Sequence, residues 1–410
     1  LKLQSAISAS IQAGASLVTF GAAAFLAKRL GIEELGQVGL LLSLITLGGT
    51  VISLGIAEQV QFAIAGAEAA NQNGPGRAGL AVQIGAQVRL TAAILAVLAV
   101  LHLSYAPFAH WAAVAACSAV AGLFSVITEI SARVDFQNGH FGRGQIINSA
   151  SSLVFWVAEA AAAAMDMHLS HMMLALLAWG VVVVAAFFIM HSQSVAFRCT
   201  AVTSVAGPIQ GPAFVSRLLI AGGTALPFMV LEAAGARSMA GVLSLVSRLL
   251  GPIGIVFSSV TLAVQRRAFR QPQQQAEQTW RACKVQMLVS IGVALLIAVA
   301  SCLVQTMGLY DLGIAEVRWW IAAIFVLLTH RGLSMAFQFS AQSLLPFFST
   351  RQVAIVGFAS FLLYLPLFLG KHDSGYTGSD FTFIYMFVAL ILQPLLSTLV
   401  LWRYSGVKTV

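Results

Sequence analysis

Charge is what this sequence has least of. Only 9% of its 410 residues are Asp, Glu, Lys or Arg, against about a quarter in a soluble globular domain. So few charges cannot cover a water-facing surface, which argues against a soluble enzyme. Cysteine is scarce too. Cys117, Cys199, Cys283 and Cys302 form no CxxC pair, so neither a disulfide framework nor a zinc site is indicated. Long polar segments are missing. The longest candidate loops, 63–87, 191–213 and 264–283, are too short to hold a separate catalytic domain. The opening residues show no cleavage motif, and no signal peptide is expected.

What is there is apolar. Hydrophobic residues make up 59% of the chain, and the mean hydropathy is +0.90. A membrane-spanning helix needs about 20 mostly apolar residues. Twelve such spans are read at 5–27, 37–62, 88–106, 111–132, 145–165, 171–190, 214–233, 239–263, 284–305, 318–341, 351–370 and 381–402, the third and fourth joined at Pro107. The net charge of +8 does not call for nucleic acid, because excess Lys and Arg collects in cytoplasmic loops of membrane proteins. With the N-terminus inside, only Lys28, Arg29, Arg237, Arg248, Arg318 and Lys371 of the 22 Lys and Arg fall on the outer side. An odd number of spans would scramble that bias. Both termini are therefore expected in the cytoplasm. The basic run Arg266, Arg267 and Arg270 is an orientation signal, or a contact with anionic lipid.

The two halves echo each other. Leu30-Gly31-Ile32-Glu33-Glu34-Leu35-Gly36 between spans one and two aligns with Ala234-Gly235-Ala236-Arg237-Ser238-Met239-Ala240 between spans seven and eight, an offset of roughly half the chain. Span six ends inside, so spans seven and one start on the same side. The halves are then parallel repeats about an axis along the membrane normal. This divides the chain into a six-helix lobe at 1–190, a cytoplasmic linker at 191–213 with Gly207, Pro208, Gly211 and Pro212, and a second six-helix lobe at 214–410.

Polar side chains recur at helical spacing inside the spans. Gln12 lies on such a stripe in span one. Span two carries Ser43, Thr46, Thr50 and Ser53. Asn148, Ser152 and Glu159 line span five, Ser244 and Arg248 span eight, and Arg331, Ser334 and Gln338 span ten. Such stripes serve either as hydrogen-bonding glue between helices or as the wall of a wet cavity; their recurrence in spans one, two and eight favours the cavity. Arg248 and Arg331 have no acid at i±3 or i±4. Each is either paired with another helix, through Glu159 or Glu232, or forms a cationic site for an anionic head group. Arginine suits phosphate because its planar donors match two oxygens at once. His330 reads as a satisfied core histidine. Lys28 and Arg29 read as snorkelling interface residues. Glu129 and Arg133 are spaced to pair, and Glu58 reads as snorkelling near the inner end of span two. Glu159 lies deepest. It is the candidate for a protonatable coupling group, because a carboxylate removed from water is costly to keep charged; pairing with an arginine is the alternative. A metal site at His168, His171 and Asp166 is a weak signal against an interfacial loop. Pro227, Pro252, Pro366 and Pro394 predict kinks.

Two stretches carry a family resemblance. Ala27-Lys28-Arg29-Leu30-Gly31-Ile32-Glu33-Glu34-Leu35-Gly36, with Leu40-Leu41-Leu42-Ser43-Leu44 and Ser53-Leu54-Gly55, resembles the first helix pair of polysaccharide-type, O-antigen (Wzx-like) flippases of the multidrug/oligosaccharidyl-lipid/polysaccharide (MOP) exporter superfamily. Asp135-Phe136-Gln137-Asn138-Gly139-His140-Phe141-Gly142-Arg143-Gly144, leading to Ile146-Ile147-Asn148, is similar to the loop before the fifth helix in that branch. The resemblance implies an all-α integral membrane fold, twelve helices in two lobes around a central cavity. It implies a cargo of oligosaccharide on a polyprenyl (undecaprenyl-type) pyrophosphate, moved across the bacterial inner membrane. Arg248, Arg331, Gln338, Ser244, Gln12 and Asn148 would bind that cargo, with Glu159 for coupling. Membrane lipids and a polysaccharide polymerase would be its partners, and a monomer its working form. No cofactor or metal is expected.

Other classes are weighed against it. A multidrug or cation antiporter needs an acid in the cavity for a cationic cargo, and the arginines within the spans argue against it; the sequence also departs from the superfamily's multidrug exporters in having no acid in span one. A membrane-embedded glycosyl- or acyltransferase needs clustered carboxylates or a His/Asp pair at a membrane face; Asp311, Glu316, Lys371, Asp373 and Asp380 make no such cluster. A scaffold would not require buried arginines.

Overall fold

In lipid a backbone amide finds no water, so an apolar run must satisfy its own amides within a helix. The computed structural model describes residues 2–58, 60, 88, 90–99, 109–137, 140–167, 169–192, 210–233, 237–249, 362–364 and 388–399, with short helical stretches between 281 and 337 and at 355. α1 spans Lys2–Leu30, α2 Ile32–Ser53, α3 Leu90–Ala99, α4 Ala109–Gln137, α5 Phe141–Ala164, α6 His171–Ser192, α7 Gln210–Ala233 and α8 Arg237–Leu249. They fall on the first eight expected spans, and the segment Val388–Leu399 falls on the last. Parts of α1, α2, α4, α5 and α7 are long and apolar enough to cross a membrane. The joint at Pro107, residues 193–209, the basic run at Arg266, and Pro252 and Pro366 lie outside the described residues, as do Asp311, Glu316, Lys371, Asp373 and Asp380.

Two boundaries differ from expectation. The regular part of α2 ends at Ser53, because Leu54 and Gly55 take positive φ of 48° and 75°; residues 56–58 are helical again on the far side of that break. And α7 begins at Gln210, so Gly211 and Pro212 form its first turn instead of a linker. Proline is tolerated there because a first-turn amide has no partner within the helix. Pro227 stands inside α7, where it cannot donate to the preceding turn.

The helices alternate in direction. Gly31 alone joins α1 to α2, at φ 99°, a conformation that costs a residue with a Cβ but not glycine. Arg29, beside that joint, donates to Asp166 in the α5–α6 joint at 2.6 Å, so both joints lie at one end of the bundle, the Gly31 end. The expected snorkelling of Arg29 is thus an exposed ion pair. At the opposite end, which we call the Glu58 end, the α4–α5 joint is clasped by Asp135. Its carboxylate accepts from Arg143 Nε at 2.6 Å and also from Nη2, and its carbonyl accepts from the His140 amide at 2.8 Å.

The core of the first helices runs through Leu26, Leu35, Ile45, Phe155, Trp156, Leu174 and Trp179. Phe155 meets Trp156 edge-on at 5.9 Å between ring centroids. From this core α2 reaches across to α7 and α8. A Cβ placed on Gly36 would lie 2.7 Å from the Arg237 carbonyl oxygen, and one on Gly241 would collide with the Ile32 carbonyl. Gly36 also faces Ala240, its counterpart in the repeat. Two parallel helices touching at equivalent residues is what a two-fold axis along the membrane normal produces.

Candidate functional site

Arg248 closes the last turn of α8. Its Cζ lies 4.9 Å from the centroid of the Trp156 indole in α5, within the range of a cation–π contact. Trp156 is fully buried, and its Nε1 finds no hydrogen-bond partner among the described residues. The two acids weighed as partners for Arg248 are held elsewhere: Glu232 accepts from Arg237 at 2.9 Å, and Glu159 faces His171. Sequence reasoning missed Trp156, although Ser152, Trp156 and Glu159 share one helical face.

One turn beyond Trp156, Glu159 is 2% exposed. Both of its carboxylate oxygens lie 2.9 Å from His171 Nδ1. The other ring nitrogen, Nε2, is 3.6 Å from Glu34 Oε2. The buried carboxylate is therefore joined to a histidine, where an arginine was the alternative expected. His171 and Asp166, weighed as metal ligands, turn to different partners, and His168 lies outside the described residues.

At the other end of the bundle, four charges converge. Glu58 is wholly buried, in contrast to the snorkelling expected of it, because the break at Leu54–Gly55 re-aims the chain. Its Oε1 accepts from Arg217 Nε of α7 at 2.5 Å and from Arg133 Nη2 of α4 at 3.5 Å. Glu129 accepts from Arg133 at 3.3 Å, the pair expected from spacing, and also from Arg217. Two carboxylates and two guanidiniums thus tie α2 and α4 to α7.

The remaining expected site residues are dispersed. Ser244 is buried against Gly39 in the α2–α8 contact. Ser43, Thr46, Thr50 and Ser53 spend their hydroxyls on carbonyls of α2 itself at 2.8–2.9 Å. Of these, Ser43, Thr50, Ser53 and Ser244 are buried, and Thr46 is exposed. Gln12 is partly buried on α1, and Asn148 is exposed on α5. Arg331 and Gln338 lie outside the described residues. Next to Arg331, His330 Nδ1 meets the Leu390 carbonyl at 2.8 Å, the satisfied core histidine expected.

No protein-family model matches the chain, and no curated protein is significantly similar to it. Solved structures are. A mutant of the MATE transporter VcmN from Vibrio cholerae is 18% identical with a TM-score of 0.56, covering 97% of each chain. The MATE multidrug transporter DinF-BH, solved in complex with rhodamine 6G, is 15% identical with a TM-score of 0.60, over 98% of this chain and 94% of that one. A MOP superfamily transporter from Pyrococcus furiosus, described as having a binding pocket of reverse polarity that suggests a different function, is 14% identical with a TM-score of 0.60, over 98% and 95%. Over nearly its whole length, then, this chain has the fold of the MATE transporters of the MOP superfamily, with twelve membrane-spanning helices in two lobes.

Proposed function

We propose that this protein is an alternating-access transporter, not an enzyme, that moves a polyprenyl-pyrophosphate-linked oligosaccharide from the cytoplasmic to the periplasmic leaflet of a bacterial inner membrane, for polysaccharide biosynthesis. The supporting observation is Arg248 of α8 over Trp156 of α5. A guanidinium offers paired donors to phosphate oxygens, and the buried indole beneath it holds this one in place. The positive-inside bias puts the Gly31 end in the periplasm and the Glu58 end in the cytoplasm. The α2–α8 contact then serves as the periplasmic closure and the four-charge cluster as the cytoplasmic one. Residues 1–190 and 214–410 act as the two rocking lobes, and the lipid tail stays in the bilayer.

The alternative is a multidrug or cation antiporter, which the likeness to DinF-BH favours. Against it, Glu58, Glu129, Glu159 and Glu232 each already face an arginine or a histidine, so a cationic cargo meets carboxylates that are taken.

Binding to the purified protein in nanodiscs separates the two. A polyprenyl-pyrophosphate oligosaccharide is expected to bind, and Arg248→Ala to weaken it at least tenfold, the loss of one charge-assisted contact of about 1.5–3 kcal/mol. Arg248→Ala and Arg331→Ala are each expected to abolish polysaccharide export with membrane insertion intact. Binding of rhodamine 6G but not of the glycolipid would sink the flippase reading.

A further inference from the structure

Two carboxylates lie deepest among the described residues, and they differ in kind. Glu58 is held by arginines, which keep their charge at any physiological pH. Glu159 is held by a histidine, whose charge changes between about pH 5 and 8. Glu159, His171 and Glu34 form a line across α5, α6 and α2. Glu159 is buried at one end, and the Glu34 side chain is 46% exposed at the other. Around them the packing is apolar: Phe155, Ala162, Ala163, Leu174 and Ala175. The other charges near this end are accounted for. On α1, Arg29 turns to Asp166 and Lys28 lies exposed beside it, as does Glu33 on α2. Arg237 pairs with Glu232 at this end; on α4, Glu129, Arg133 and Asp135 sit at the Glu58 end, and His110 stands in the first turn at the Gly31 end.

We propose that Glu159, His171 and Glu34 form a proton-binding site loaded from water at the Gly31 end, and that its occupancy sets the contact of α2 with α8. One proton is taken up, on His171 Nε2. With it, the imidazolium donates Nδ1–H to Glu159 and Nε2–H to Glu34, and both ring donors are satisfied. Without it, the single ring proton stays on Nδ1, because buried Glu159 has no water to turn to. The Nε2 lone pair then faces the Glu34 carboxylate, the two repel, and Glu34 turns outward. Glu34 lies between Ile32 and Gly36, whose positions fit closely against Gly241 and the Arg237 carbonyl of α8. Freeing the first turn of α2 from α6 therefore loosens the α2–α8 closure, and the tie and the closure are present together in this structure. That this closure gates transport rests on the transporter reading; the proton site itself does not.

The test uses the full chain in nanodiscs, with its native cysteines replaced and spin labels at Glu33→Cys and Arg237→Cys, both exposed positions. Lowering the pH from about 8 to about 5 is expected to raise the population of the short α2–α8 distance several-fold. His171→Gln and the isosteric Glu159→Gln should each remove that response while melting near the parent temperature. A parent chain with no pH response, or a response kept in either variant, overturns the proposal. Glycolipid binding by the parent is measured separately at one pH. A chain that fails to bind glycolipid yet keeps a His171-dependent response loses its cargo assignment and keeps its proton site.

Discussion

A guanidinium drawn away from water needs acceptors or a π face. Arg248 uses the indole of Trp156, a contact worth about 0.5–2 kcal/mol depending on desolvation. Arg248 was legible in the sequence, because a cation in an apolar helix is conspicuous. Its partner was not, because nothing in the spacing of α5 says which helix faces Trp156. Glu58 was misjudged for a related reason. A helix running unbroken to residue 62 would carry it to the interface, and a leucine at φ 48° leaves no mark in composition. The packing role of Trp156 is checked at this scale. Truncating a large buried side chain costs roughly 3–5 kcal/mol. Trp156→Ala is therefore expected to lower the melting temperature of the detergent-purified protein by several degrees, and Trp156→Phe, which keeps a ring against Phe155, to lose much less. An alanine variant melting with the parent would mean that the indole is not packed as described.

At the scale of elements, helices were the easy part. Apolar length alone places α1, α2 and α4 to α7, and charge asymmetry argues for an even number of spans. Where they end was harder, since Gly211 and Pro212 read as linker but make a first turn. Which helices touch was harder still. The repeat hinted at it, because Gly36 and Ala240 are equivalent positions and meet, but small residues in a membrane helix mark many possible contacts. The sharpest consequence falls on Gly241, where an added Cβ meets the backbone of Ile32 and no flexible side chain that could yield. Gly241→Val is expected to hold α8 away from α2. With the same spin-label pair, its distance distribution should remain long at every pH. A short distance recovered at low pH would mean that the close approach does not depend on the missing side chain.

For the whole molecule, the two ends of α2 are fastened to the second half by opposite kinds of chemistry. The Gly31 end uses backbone proximity, which is weak and shape-dependent. The Glu58 end uses charge: removing one partner of a buried ion pair costs roughly 3–5 kcal/mol, because the remaining charges lose their compensation. An alternating machine needs each closure to be breakable at a cost its cargo can offset, and a pyrophosphate arriving among Arg133 and Arg217 would compete for the same guanidiniums. If the cluster is a closure, its worth lies in the balance of two positive and two negative groups, not in which helix bears which sign. Glu58→Arg leaves three guanidiniums around Glu129, and Arg217→Glu leaves three carboxylates around Arg133. Each single change should destabilise the protein and abolish export. Together they restore two charges of each sign across the same α2–α7 gap. The double variant is therefore expected to recover a substantial part of both the melting temperature and the export activity of the parent. Recovery of stability without export would assign the cluster to folding alone. Failure to recover either would show that these charges are matched to their local surroundings and do not act as a pair across the halves.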